Sequence, residues 1–217
     1  VQRSDPASAD RDIVVAAAGS LPGELHKLWR TREPGGYHVE YGYSCMGYEI
    51  AGAVGVKLAR PDREVVVMVG DGSYLMMNSE IATSIMLGAK LTIVVLDNGG
   101  FGCIHRLQAS VGGPEFNNLL AGTGRNGGSA PAIDFAAHAA SLGALAENVT
   151  SFADLDAALK RARRADRTCV VCVRTDPDRA TGEGGVWWEV PVPEVSGRDE
   201  VRAARERYEA AKQGQQP

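Results

Sequence analysis

Apolar residues in this chain gather in short unbroken runs, separated by longer stretches with a helical period. The runs are Ile13-Val14-Val15, Val65-Val66-Val67-Met68-Val69, Leu91-Thr92-Ile93-Val94-Val95-Leu96 and Cys169-Val170-Val171-Cys172-Val173. Continuous rather than alternating hydrophobicity predicts strands covered on both faces, as in a parallel sheet under helices. Helical periodicity falls around residues 20–30, 45–60, 74–88, 133–142 and 151–165. The last of these opens Ser151-Phe152-Ala153-Asp154, a capping-box pattern ahead of Leu155 and Leu159. Alternating strand and helix predicts an α/β fold, a doubly wound parallel sheet with helices on both faces in a three-layer, Rossmann-like domain.

The rhythm breaks at 97–131, which is rich in Gly and Asn and follows directly on a strand. A long loop at the carboxyl end of a parallel strand is usually an active-site element. From Pro191 onward the chain turns polar, and Asp199 to Lys212 has the pattern of a charged, solvent-facing helix. The expected division is therefore a main domain over 1–190 and a polar C-terminal extension with a helix over 191–217. No internal repeat is visible.

Composition narrows the function. Of 217 residues, 44% are hydrophobic and 23% charged, enough for one well-filled core. The net charge of −4 carries interspersed signs, with no basic stripe, so nucleic acid is not an expected partner. Nor is a membrane, since no apolar run approaches the roughly 20 residues a bilayer needs. The start, Val1-Gln2-Arg3-Ser4-Asp5, has neither Met nor the order of a signal peptide, and reads as an excised domain. Cys169 and Cys172 are spaced C-x-x-C, but three residues apart on a strand they point to opposite faces and cannot share a metal. Reduced core thiols imply a cytoplasmic address.

Candidate chemistry lies where two strands end. Val65–Val69 runs into Gly70-Asp71-Gly72-Ser73, and Leu91–Leu96 into Asp97-Asn98-Gly99-Gly100. An acid and an amide thus stand at the carboxyl ends of two strands, the usual ligand crevice of such sheets. The glycines admit a ligand close to the backbone, and the N–H groups of Gly72 and Ser73 suit phosphate. Mg²⁺ takes six oxygens in a near-octahedral shell shared with phosphates and water. The Asp71 carboxylate, the Asn98 amide oxygen and the Gly100 carbonyl would supply three of them.

The stretch GDGSYLMMNSEIATSIMLGAKLTIVVLDN resembles the binding motif of thiamine diphosphate (ThDP) enzymes, which opens with GDG and closes on Asn. That family usually closes on two Asn, whereas this chain has Asp97-Asn98; only the second is the metal ligand in the family, so the resemblance leaves the ligand set intact. The resemblance implies ThDP and Mg²⁺ as cofactors, with Gly70, Asp71, Gly72, Ser73, Asn98, Gly100 and Phe101 around the diphosphate. Residues 41–53, YGYSCMGYEIAGA, resemble a stretch of the acetohydroxyacid synthases. This implies cofactor contacts for Ser44 and Met46, with Met46 as the apolar prop that bends the cofactor into a V. Gly19 and Ser20, after the first strand, match a second diphosphate contact.

A closer resemblance is to the trihydroxycyclohexanedione hydrolases of myo-inositol catabolism, through AAGSLPGELHKLWR, EYGYSCMGYEIAGAVGVKLA and GGVWWEVPVPEVS. It implies cleavage of the carbon–carbon bond between the carbonyls of a cyclic 1,2-diketone by water. The glutamate that protonates the pyrimidine ring belongs in that family to a separate pyrimidine-binding domain, usually on a second subunit. No catalytic residue is therefore expected in this chain, and a homo-oligomer is expected for the whole enzyme. Two rival readings remain: another ThDP enzyme such as an acetohydroxyacid synthase relative, and a non-catalytic nucleotide-binding module. The sequence Gly122-Thr123-Gly124-Arg125-Asn126-Gly127 fits G-x-G-x-x-G, but without a strand before it dinucleotide binding is not expected. His105 is expected to be solvated or structural, and Trp187-Trp188 to pack.

Overall fold

The computed structural model describes residues 11–122, 132–179, 181 and 190–215. All four continuous apolar runs form strands: β1 (Ile13–Ala16), β3 (Val65–Gly70), β4 (Thr92–Asp97) and β6 (Cys169–Arg174). Two further strands, β2 (Tyr37–Val39) and β5 (Leu145–Val149), complete a sheet of order β2-β1-β3-β4-β6-β5, parallel throughout. The two additions are the edge strands. Their residues are half-exposed and mixed in character, so no unbroken apolar run marks them.

Register fixes the core. Val15 lies opposite Val67, Val67 opposite Ile93, and Ile93 opposite Val170, a row crossing four strands. All four are fully buried and belong to one cluster with Ile50, Ala53, Tyr74, Ile81 and Phe135. Those partners come from α2 (Tyr48–Ala59), α3 (Asp71–Met76), α4 (Glu80–Met86) and α6 (Phe135–Ser141). The alternate strand positions turn the other way. Val14, Ala16 and Met68 pack with Leu25 of α1 (Ser20–Leu28), and Val149 and Val171 with Ala158 of α7 (Phe152–Arg164). Helices thus cover both faces, as continuous apolar strands require. Cutting Ile93 to Ala would cost roughly 2–5 kcal/mol, the usual price of an emptied core site.

Local signals act as expected at some element ends and not at others. Ser151 caps α7, its hydroxyl accepting from Asp154 N at 3.1 Å. The single helix expected over 74–88 is two, α3 and α4, interrupted at 77–79, and the first begins at Asp71 itself. Cys169 and Cys172 are both buried free thiols, and Cys172 belongs to the main cluster. Burial pushes the Cys172 thiol up to about 12, so it stays an inert core group.

The chain divides into two compact units, Val1–Asn98 with Ala132–Asp176, and Gly99–Pro131 with Pro177–Pro217. In the second unit, the segment expected to be irregular holds α5 (Gly102–Ser110) and a 3₁₀ turn at Leu120–Gly122. The C-terminal helix α8 (Asp199–Gln213) is present but not wholly solvent-facing, since Val201 and Ala204 are buried against Val192, Val111 and Tyr208. Most of the G-x-G-x-x-G segment and Trp187-Trp188 lie outside the described residues.

Candidate cofactor site

The sheet order reverses at β1. The chain leaves β1 toward β2 on one side, while β3 lies on the other. In open parallel sheets the crevice at such a reversal, outside the carboxyl ends of the strands, is where ligands bind. The expected site residues of the first unit converge on this edge.

Gly70 ends β3 opposite Leu96 of β4. Asp71 follows Gly70 directly, and Asn98 lies two residues beyond Leu96, so both leave neighbouring strands at nearly the same level. Asp71 is 2% exposed and Asn98 half-buried. A carboxylate and an amide are hard oxygen donors, the chemistry that suits Mg²⁺ rather than a thiolate-bound metal. No group of three or more His, Cys, Asp or Glu able to hold a metal occurs among the described residues. The donor set therefore fits an ion that draws further oxygens from a phosphate.

The loop before α2 reaches the same place. Ser44 has φ 53° and Gly47 φ 93°, both left-handed. A Cβ on Gly47 would stand 3.1 Å from Cβ of Met77 and 3.2 Å from Cβ of Met76, so glycine suits this position by conformation and by space. Glu40, at the end of β2, holds the loop from one side. Its carboxylate accepts from Tyr43 N at 3.0 Å and Cys45 N at 2.6 Å. Those bonds hold its acidity stronger than an ordinary glutamate's. Met46 is half-buried and Ser44 exposed within this loop. The preceding segment, Gly19-Ser20, opens α1 just past β1, with Gly19 exposed and Ser20 half-buried.

Glu49 joins these segments, and sequence reasoning missed it. This side chain is 1% exposed on a helix otherwise buried through Ile50, Ala53 and Val54. Its Oε1 accepts from the Ser73 hydroxyl at 2.8 Å and from Ala18 N at 3.4 Å, and its Oε2 from Gly47 N at 2.9 Å. Gly47 N also donates to Ser73 Oγ at 2.9 Å. The ends of β1 and β3 and the Met46 loop are thus tied at one carboxylate. The Ser73 hydroxyl points inward to that tie. The available signal was an acid among apolar helix neighbours, a place where charge is seldom buried without partners.

In the second unit, Gly100 has φ 142° and pairs with Leu119 across an antiparallel bridge. A Cβ there would lie 2.5 Å from Asn118 O. Phe101 N donates to Asn118 O at 2.7 Å, Leu120 N to Gly99 O at 2.7 Å, and Phe101 caps α5. His105 follows on α5, half-buried, its N–H bonded to Phe101 O at 3.0 Å.

Comparison with known proteins decides the family. Residues 17–173 match the thiamine pyrophosphate enzyme, C-terminal TPP binding domain. The chain belongs to that family. This ThDP-binding domain is 46% identical over 198 residues to 3D-(3,5/4)-trihydroxycyclohexane-1,2-dione hydrolase 2 of Bacillus cereus (strain ZK / E33L), covering 89% of the chain and 31% of that protein. It is equally identical over 202 residues to the 3D-(3,5/4)-trihydroxycyclohexane-1,2-dione hydrolase of Bacillus anthracis (strain CDC 684 / NRRL 3495), covering 91% of the chain and 31% of that protein. The domain thus spans about a third of the length of these relatives. Among solved structures it is similar to the thiamine diphosphate-dependent 4-hydroxybenzoylformate decarboxylase of Rhodococcus jostii RHA1, with a TM-score of 0.66 and 25% identity over 77% of this chain and 30% of that one. The benzoylformate decarboxylase of Polynucleobacter necessarius, at 21% identity and the same TM-score, shares the fold. The family match excludes a nucleotide-binding module of another class. No helix among the described residues is long and apolar enough to cross a membrane.

Proposed function

We propose that this domain anchors Mg²⁺ and the diphosphate of ThDP in a hydrolase that opens a cyclic 1,2-diketone, 3D-(3,5/4)-trihydroxycyclohexane-1,2-dione. The observation that carries the cofactor reading is the register that sets Asp71 and Asn98 at adjoining strand ends. These two residues hold the metal, and the family motif adds the Gly100 carbonyl. The backbone of Gly19, Ser20 and Gly70 to Ser73 faces the diphosphate, and the family resemblance adds Phe101 to the cofactor contacts. Ser44 and Met46 lie toward the rings, Met46 as their apolar support. The substrate reading rests on the relatives at 46% identity that bear the diketone hydrolase name.

ThDP, when bound, supplies the nucleophilic carbon and the sink for the electron pair of the broken bond. The reaction balances as the addition of one water across the bond between the two carbonyls, which leaves one as a carboxylic acid and the other as an aldehyde. The domain's own residues bind and orient the cofactor. The glutamate that protonates the pyrimidine ring comes from a pyrimidine-binding domain of a second subunit, in a cytoplasmic homo-oligomer.

The test is an assay of the full-length protein on the cyclic diketone and, separately, on pyruvate, with and without ThDP and Mg²⁺. Ring-opened acid that forms only with both cofactors is the expected result. Turnover of pyruvate with the diketone untouched would move the protein to the acetohydroxyacid synthase side of the family.

A further inference from the structure

A carboxylate buried to 1% exposure is costly unless its oxygens are fully hydrogen-bonded. Glu49 meets that requirement without a cation: among the described residues no lysine, arginine or histidine is ion-paired to it. Its partners are all donors, the Ala18 and Gly47 N–H groups and the Ser73 hydroxyl. Each lies in a different segment. Ala18 immediately precedes Gly19-Ser20, Gly47 follows Met46, and Ser73 closes Gly70-Asp71-Gly72-Ser73.

If Glu49 only filled space, an apolar side chain would serve better beside Ile50 and Ala53, because it brings no desolvation cost. A glutamine would not serve equally. A carboxylate is acceptor-only, whereas an amide would turn its NH₂ toward one of three converging donors. The arrangement selects a side chain that accepts at both ends, and it sits behind every segment of the first unit proposed to touch the cofactor except Asn98.

We propose that Glu49 is the positioning residue of the cofactor site, setting the Gly19–Ser20 turn, the Met46 loop and the Asp71 turn in mutual register before the cofactor arrives. It acts through Gly47 and Ser73 and does not touch the reacting atoms. Preorganisation of this kind shows in affinity, because an unregistered site must be ordered at the moment of binding. This proposal rests on the ThDP reading above.

The test is calorimetric titration of ThDP, with Mg²⁺ present, into the full-length wild-type protein and into Glu49→Gln, Ser73→Ala and the double variant. Thermal melts of each cofactor-free protein run alongside. Glu49→Gln is expected to lower ThDP affinity by about ten-fold or more, since one of the three converging donors then faces an NH₂ and loses its acceptor. Ser73→Ala should lower it less, and the double variant should match Glu49→Gln alone, because both changes act on one network. Glu49→Gln that binds ThDP within two-fold of wild type overturns the proposal, even if its melting temperature falls, since a purely structural acid would give that pattern. If Glu49→Gln does not fold, Ser73→Ala decides by the same criterion. Wild-type protein that shows no Mg²⁺-dependent ThDP binding overturns the function proposed above and this inference with it.

Discussion

The Tyr74 hydroxyl and Nδ1 of His138 share a hydrogen bond of 2.9 Å, joining the helix that Asp71 opens to α6 on the same face of the sheet. The two rings meet edge-on at 5.7 Å, and Phe135 of the same helix also stands edge-on to Tyr74 at 5.4 Å. Tyr74 is fully buried, which pushes its phenol well above the ordinary value. Tyr74→Phe keeps the ring packing and removes the bond. His138 is half-buried and reaches water in compensation, so the loss should be about 1 kcal/mol. Urea denaturation checks this, and an unchanged midpoint would show that the pair contributes nothing to stability.

Asp71→Ala should abolish Mg²⁺-dependent ThDP binding in the full-length protein, because it removes the charged ligand of the proposed set. Asn98→Ala should weaken binding severely without removing that charge. Chelation of Mg²⁺ from the wild-type protein should reproduce the Asp71 phenotype. Calorimetry reads all three, and unchanged affinity in Asp71→Ala would remove this residue from the metal site.

Met46→Ala should leave the diphosphate anchor in place and release the support beneath the rings. The expected result is a fall in kcat much larger than the fall in ThDP affinity, because the lost contact serves reactive geometry. Equal losses in both would assign Met46 to packing.

Stability should decline in alkali through Cys172. Its folded value, about 12, lies above the usual thiol value of 9.0, chiefly because burial disfavours the thiolate. The folded state therefore holds the proton more tightly than the unfolded chain. The resulting stability is complete below about pH 9 and is lost as pH rises from there toward 12. Cys172→Ala should flatten that decline in melts run from pH 8 to about pH 11, at the cost of some neutral-pH stability for the smaller side chain. A slope that the substitution leaves unchanged would assign the alkaline loss elsewhere, Cys169 and Tyr74 being further buried acids that burial raises.

Gly100→Ala places a Cβ 2.5 Å from the backbone oxygen of Asn118 at a φ of 142°. Neither atom can swing aside as a side chain would. The bridge to Leu119 should open at a cost of order 1–3 kcal/mol, and amide exchange at Phe101 and Leu120 should quicken. Unchanged exchange at both amides would show that the turn absorbs the methyl.

The central strands were legible because burial on both faces leaves an unbroken apolar run. Tyr37-His38-Val39 and Leu145-Ala146-Glu147-Asn148-Val149 carry no such run, since an edge strand is covered less and admits polar residues. The helix Gly102–Ser110 was hidden by Gly99-Gly100 before it and Gly112-Gly113 after it, which dominate a short window. For the candidate site, residue type and spacing mark Asp71 and Asn98 as proposed ligands, and the strand ends on which they stand could be located from sequence. Glu49 was not legible as a site residue, since its significance comes from donors at positions 18, 47 and 73 that only the folded chain brings together.

The strand order carries a consequence for synthesis. β4 pairs on one side with β3, and its other side waits for β6. The bond from Leu91 N to the Thr168 hydroxyl beside that pairing spans 77 residues of chain. As the polypeptide leaves the ribosome, Thr92–Asp97 emerges with an unsatisfied apolar edge and keeps it until Cys169–Arg174 follows. β5 emerges earlier but cannot fill the gap, because its own place is on the far side of β6. A nascent chain stalled or truncated between these strands would present an open, hydrophobic β-edge, the kind of surface that recruits chaperones or seeds aggregation.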